Sequence, residues 1–161
     1  MSNEFEQISI KPGFMKHNGG VLFRTISETE YEFKTTINES HLNAAGITHG
    51  GYLSALIDAG AGTAAHRASG NAPCVTISLD LKFIGASKVG DVVTGFTRIL
   101  KKTNTLVFLF CELKCNNKII KTIIKKYITD FCRDDFSSQS NIFIYPFWWT
   151  AQNSNLESPG S

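Results

Sequence analysis

Between Gly50 and Ala65 a single residue, Asp58, carries a charge. Every other position in that run is apolar, small or uncharged. Leu53, Leu56, Ile57, Ala61 and Ala64 recur on one face at helical spacing, so the run reads as an amphipathic-to-apolar helix from Gly50 to about Arg67. Gly60 and Gly62 each weaken such a helix by about 1 kcal/mol relative to Ala, and in return they admit a close neighbour. Gly70 and Pro73 supply the stop. A helix this apolar cannot leave one side in water, so the rest of the chain has to wrap it.

The remaining patterns supply the wrapping. Val21–Ile26 and Tyr31–Ile37 read as strands joined by a turn over Ser27–Glu30, and Asn38–His49 as a loop. Val75–Phe83 alternates with apolar residues at odd positions, the pattern of a half-buried strand. Asp91–Leu100 is a weaker strand, Lys101–Asn104 a polar turn, and Thr105–Leu113 a strand apolar enough for burial on both faces. Asn116-Asn117 suits a hairpin turn. Ile119–Ile128 fits a helical face too, but its β-branched residues favour a strand. The fold class expected is α+β, a curved antiparallel sheet around one long helix. Residues 1–18 read as a loose lead-in. Residues 1–131 form the expected domain and 132–161 an extension, whose run Ile142–Trp149 is expected to dock on the domain or on a partner subunit because large exposed apolar patches are uncommon.

Composition removes several function classes. The chain has 161 residues and a formal net charge of +2, too small to argue for nucleic acid or a membrane surface. It contains no stretch of ~18 uninterrupted apolar residues and therefore no expected membrane span. Glu4 and Glu6 stand where a signal peptide would be apolar, so a cytoplasmic protein is expected. Cys74, Cys111, Cys115 and Cys132 form no CxxC and no zinc-like spacing, and read as reduced core thiols.

Chemistry concentrates around the helix start. Gly50-Gly51 brings bare N–H groups to a helix N-terminus, where negative charge is stabilised. Asp58 is a lone carboxylate in an apolar segment, costly unless paired or used. Eight residues separate the two, roughly 12 Å along the helix axis, so one helix cannot close them on a single carbonyl. An antiparallel second helix would bring Gly50 of one subunit to Asp58 of the other, and a twofold dimer makes that pairing twice.

The segment Asn43-Ala44-Ala45-Gly46-Ile47-Thr48-His49-Gly50-Gly51, followed by Leu56-Ile57-Asp58, resembles the hotdog-fold acyl-CoA thioesterases, most of all the phenylacetate-degradation type and the small mammalian enzymes. Ser78-Leu79-Asp80 resembles the same family, and the likeness runs from about Phe14 to Phe131. It implies a hotdog domain, a dimer or dimer of dimers with sites at the subunit interface, and hydrolysis of an acyl- or aryl-CoA thioester without metal or cofactor. By the same likeness Gly50 N–H polarises the thioester carbonyl, Asp58 of the partner is general base or nucleophile, Asn43 and His49 position water or substrate, and Ser78 orients the water. Alternation puts Ser78 on the strand face away from its own helix, in tension with that role.

Each residue has a plainer reading. Asp58 can be a satisfied structural carboxylate, His49 a helix cap, Asn43 a turn residue, and Gly50-Gly51 a means of close packing. His17, His41 and His66 show no ligand spacing and receive no role. Lys114, Lys118, Lys121, Lys125 and Lys126 read as a solvated sheet face. Three other functions compete: a hotdog dehydratase, whose usual histidine motif is not apparent; a non-catalytic binder of acyl-CoA or acyl carrier protein, which gains nothing from a carboxylate beside a thioester; and a nucleic-acid binder, for which a basic patch with interleaved aromatics is missing.

Overall fold

The computed structural model describes residues 4–116 and 118–129. The long helix spans Gly50–Ala68, within a residue of the expected end. Before it come β1 (Glu6–Ile8), the short α1 (Phe14–His17), β2 (Val21–Thr25), β3 (Glu30–Thr36) and a 3-10 turn (Glu39–His41); the long helix is α2. After it come β4 (Cys74–Phe83), β5 (Val92–Lys102), β6 (Leu106–Cys115) and β7 (Lys118–Thr129). The lead-in is therefore more ordered than expected, because Glu6–Ile8 adds a strand beside Val21–Phe23. The ambiguous Ile119–Ile128 segment is a strand, held between β6 and β4.

The strands form one antiparallel sheet in the order β1-β2-β3-β5-β6-β7-β4, and α2 packs across β2 to β7. Alternation explains the contact surface. In β3, Tyr31 and Phe33 point inward while Glu32 and Lys34 point out, and Arg24 of β2 pairs with Glu32 beside it. The outward ring of Phe5 lies under both Arg24 and Lys34, with the Lys34 Nζ 4.0 Å from the ring centre. In β6, Val107, Leu109, Cys111, Leu113 and Cys115 are buried, and Phe108, Phe110 and Glu112 between them are half-buried. The expectation of burial on both faces is corrected: among the described residues only one face of β6 is closed, and no second layer covers the other.

On α2 the residues Leu53, Leu56, Ile57, Ala61 and Ala64 are all buried, as their spacing requires. The tightest contact is made by Phe33. A Cβ built on Gly60 would lie 2.3 Å from the Phe33 ring, and one on Gly95 of β5 would lie 2.0 Å from it. The ring is wedged between helix and sheet at two positions where only glycine fits. The opposite side of α2 carries Gly51, Ser54, Ala55, Asp58, Gly62 and Thr63, partly or fully exposed.

Strand β4 departs from its sequence pattern. A bulge lies between Thr76 and Ser78, so the parity of the inward face switches there. Leu79 and Leu81 pack on the core, whereas Ile77 and Phe83, also at odd positions, are 47% and 55% exposed. Among the described residues β4 is an edge strand with β7 as its one partner in the sheet. The boundary at residue 131 and the docking of Ile142–Trp149 lie outside the described residues, as does Cys132; Cys74, Cys111 and Cys115 are thiols in no disulfide among the described residues, half-buried or buried.

Candidate active site

The loop ahead of α2 is built around its own polar groups. Asn43 Oδ1 accepts the N–H groups of Ala45 (2.9 Å) and Ile47 (3.4 Å), and the Asn43 N–H donates to Ile47 O (2.8 Å). These bonds curl residues 42–48 into a compact turn whose base is the Leu42–Thr48 bridge. Thr48 is buried, and its hydroxyl reaches Ser87 Oγ at 2.7 Å. Asn43 thus holds the loop, as its plainer reading anticipated, and its amide nitrogen is left for other use.

His49 is the N-cap of α2. Its Nδ1 accepts the Gly51 N–H at 2.8 Å, and its carbonyl accepts the Leu53 N–H at 3.2 Å. The Gly50 N–H belongs to the first helical residue and has no intrahelical acceptor by position; none serves it among the described residues. The positive end of the helix dipole therefore presents that N–H, while His66 and Arg67 sit in the last turn where cations are favoured. A Cβ at Gly50 would come within 2.8 Å of the Phe83 ring. Gly50 thus lets Phe83 lean over the helix start, so the close-packing and donor readings of this glycine coexist.

Asp58 is not sealed in the apolar interior, contrary to the sequence expectation. It is half-buried on the outer face of α2, and its Oδ1 accepts the Thr76 hydroxyl at 2.7 Å. The correction follows from helix phase: Ile57 and Ala61 face the sheet, and Asp58 turns about 100° away from Ile57. Thr76 is the site residue that sequence reasoning missed. Strict alternation assigned its side chain to the outer face, and the bulge after it is what aims it at α2. Ser78 lies beyond the bulge, exposed, on the face opposite Leu79; the tension noted in sequence persists within one chain.

Gly50 and Asp58 stand on one unbroken helix, and their separation of roughly 12 Å remains. Within one chain the structure brings together His49 with Gly51 and Asp58 with Thr76, but not the two pairs. Among the described residues no group of three or more His, Cys, Asp or Glu is placed to hold a metal ion, and no helix is long and apolar enough to cross a membrane. Lys114 pairs with Glu112 at 2.6 Å and Lys118 is exposed, in line with a solvated sheet face at those two positions.

Known proteins are similar to this chain in sequence and fold. The thioesterase superfamily model matches residues 45–119, the stretch from the loop through the helix to the start of β7. A Pseudomonas aeruginosa protein bearing an esterase name is 36% identical over 85 residues, which are 52% of this chain and 63% of that protein, so the chain spans just under two thirds of its length. Acyl-coenzyme A thioesterase 13 of Mus musculus is 26% identical over 111 residues, 68% of this chain and 79% of the mouse protein. Among solved structures, zebrafish thioesterase superfamily member 2 superimposes with a TM-score of 0.67 at 24% identity, covering 73% of this chain and 87% of that one. One long helix clasped by a single antiparallel sheet is the hotdog fold that these structures share, and within it residues 45–119 are similar to the thioesterase superfamily.

Proposed function

We propose that the protein hydrolyses the thioester of an acyl- or aryl-CoA, giving the free acid and CoA. The observation that carries this reading is the unengaged Gly50 N–H at the mouth of α2 together with the half-buried Asp58 carboxylate on the same helix. The Gly50 N–H receives the carbonyl oxygen and stabilises the oxyanion as the tetrahedral intermediate forms. Asp58 acts as general base, taking a proton from the attacking water, or as nucleophile, adding directly to the carbonyl carbon to give, after C–S cleavage, a mixed anhydride that a water then hydrolyses to the free acid and the Asp58 carboxylate. Collapse breaks the C–S bond, and the sulfur leaves with a proton to become the CoA thiol. Asn43 and His49 position substrate or water, and Ser78 orients the water. The helix N–H and one carboxylate meet the chemical demand, so the reaction needs no metal or redox cofactor.

The catalytic unit is a dimer, alone or paired into a tetramer, in which Gly50 of one protomer serves with Asp58 of the partner subunit. The small residues on the outer face of α2 and the edge of β4, which no other described strand pairs, support this arrangement, since both offer backbone-close surface to a second copy. Subunit mixing tests it. Asp58→Asn and a Gly50→Val variant, each inactive alone, should regain part of the wild-type rate once exchanged into heterodimers. No recovery after confirmed exchange would refute shared sites.

A second reading is binding of acyl-CoA or acyl carrier protein without turnover. It draws on His49 and Asn43, whose ring nitrogen and carboxamide oxygen are committed to the helix cap and the loop. A panel of acyl-CoA esters of graded length, followed by thiol release, separates the two: binding with no release at any length favours the binder.

A further inference from the structure

His41 is the most completely engaged polar side chain near the site, and none of the chemistry above uses it. It is 1% exposed. Its Nδ1 accepts the Asn38 N–H at 3.1 Å, which leaves the proton on Nε2, and Nε2 donates to Asn18 O at 3.0 Å. The ring lies flat on Tyr52, with centroids 3.8 Å apart and planes 9° apart. Tyr52 belongs to the first turn of α2, two residues from Gly50. The His41 carbonyl meanwhile accepts the His49 N–H at 2.7 Å.

These contacts form two short routes to the same point. Through the backbone, His41 O holds His49, and the His49 ring and carbonyl hold Gly51 and Leu53. Through the ring, His41 fixes Tyr52 and with it the rotation of the first helical turn. Gly50 N–H lies between the two routes. We propose that His41 is a positioning residue that sets the direction of the Gly50 N–H toward the thioester oxygen. The inference rests on the thioesterase reading above. An oxyanion donor acts only if aimed where the charge develops, and misplacement by about 1 Å can cost on the order of 100-fold in rate.

Two variants of the full chain test this. His41→Phe keeps a flat ring against Tyr52 and removes both nitrogens. His41→Asn restores an acceptor near the Nδ1 position. Rates are taken per folded protein, and amide hydrogen exchange is read at His49 and Gly51 in the same samples. For His41→Phe, kcat should fall by about ten-fold or more with KM changed by less than about three-fold, the pattern of a contact that matters in the transition state. Exchange at His49 and Gly51 should quicken while Ala64 and Ala65 stay protected, and His41→Asn should recover part of both effects. Wild-type kcat in folded His41→Phe overturns the proposal. So does a lowered kcat with unchanged exchange at His49 and Gly51, or exchange that quickens through the whole helix, which would mark a general structural role. If the wild-type chain releases no thiol from any acyl-CoA, the thioesterase reading fails by itself; the exchange data then still decide whether His41 controls the helix start.

Discussion

The two sides of α2 are built to opposite specifications. The inner side is filled to contact: Phe33 occupies the space between Gly60 and Gly95, and Leu53, Leu56 and Ile57 are closed off completely. The outer side carries Asp58, small residues and two hydroxyls turned back on their own helix, Ser54 to Gly50 O and Thr63 to Ala59 O. One face is committed to stability and has no spare room. The other exposes polar atoms and bare backbone, a poor arrangement for a lone domain and a useful one for chemistry or a second subunit. Activity and stability should therefore respond to changes on different faces.

The largest effect is expected at Asp58. Asp58→Asn should lower turnover by roughly 100-fold or more, the usual weight of a general base or nucleophile, with the melting temperature nearly unchanged. A folded variant with wild-type thiol release would break the division between faces. Gly60→Ala should do the reverse. The new methyl group collides with the Phe33 ring, an overpacking cost of about 1–3 kcal/mol. Melting should fall by about 2–4 °C for each kcal/mol lost, while kcat per folded molecule holds. A melting temperature at or above wild type would show that the Phe33 wedge has slack.

Smaller effects sharpen the outer face. Thr76→Val keeps the shape and removes the hydroxyl that Asp58 accepts; the loss of one hydrogen bond to a charged group predicts a fall in kcat/KM of roughly ten-fold. No change would mean that Asp58 is held by its other contacts. The smallest effect concerns pH. Burial holds His41 below its ordinary value of 6.5, against a weaker opposing pull from its bond to Asn18 O. The titratable group stacked on it is Tyr52, and Asn18 and Asn38 bring no charge. Below pH 6.5 the unfolded chain binds a proton that the folded chain resists. The stability from His41 is thus present in full above that value and lost as pH falls toward the lowered one. Urea midpoints at pH 7.5 and 5 should show this loss in wild type and less of it in His41→Asn.

What was legible in the sequence follows from which forces are local. Helical spacing alone located α2 and its buried stripe, because burial on one face and chain stops at Gly70 and Pro73 are written in consecutive residues. The Asn43–Asp58 motif, also written in nearby residues, pointed to the candidate site for the same reason. The bulge in β4 was not legible: Val75–Phe83 alternates without fault, and the switch in parity comes from pairing with β7, some fifty residues later. With the bulge hidden, so were Thr76 as partner of Asp58 and the exposure of Ile77 and Phe83. His41 was passed over because its spacing to other histidines carries no signal. Its importance lies in contacts with Asn18, Asn38 and Tyr52 that only folding assembles.

The sheet order has a consequence for how the chain is made. Among the described residues β4 joins the sheet through β7 alone, so within them the segment Cys74–Phe83 has no partner strand until Lys118–Thr129 has left the ribosome. At about 5–20 residues per second that interval lasts a few seconds. During it the helix, with Gly50 and Asp58 in their final order, exists without the strand that supplies Thr76 and Phe83. Ile77 and Phe83 spend that time as part of an unpaired, partly apolar strand, the kind of segment that chaperones hold. A stop codon before residue 118 would leave β1, β2, β3, β5 and β6 able to pair while β4 stays unpaired, and a nascent chain arrested there should bind a holdase that the finished protein ignores.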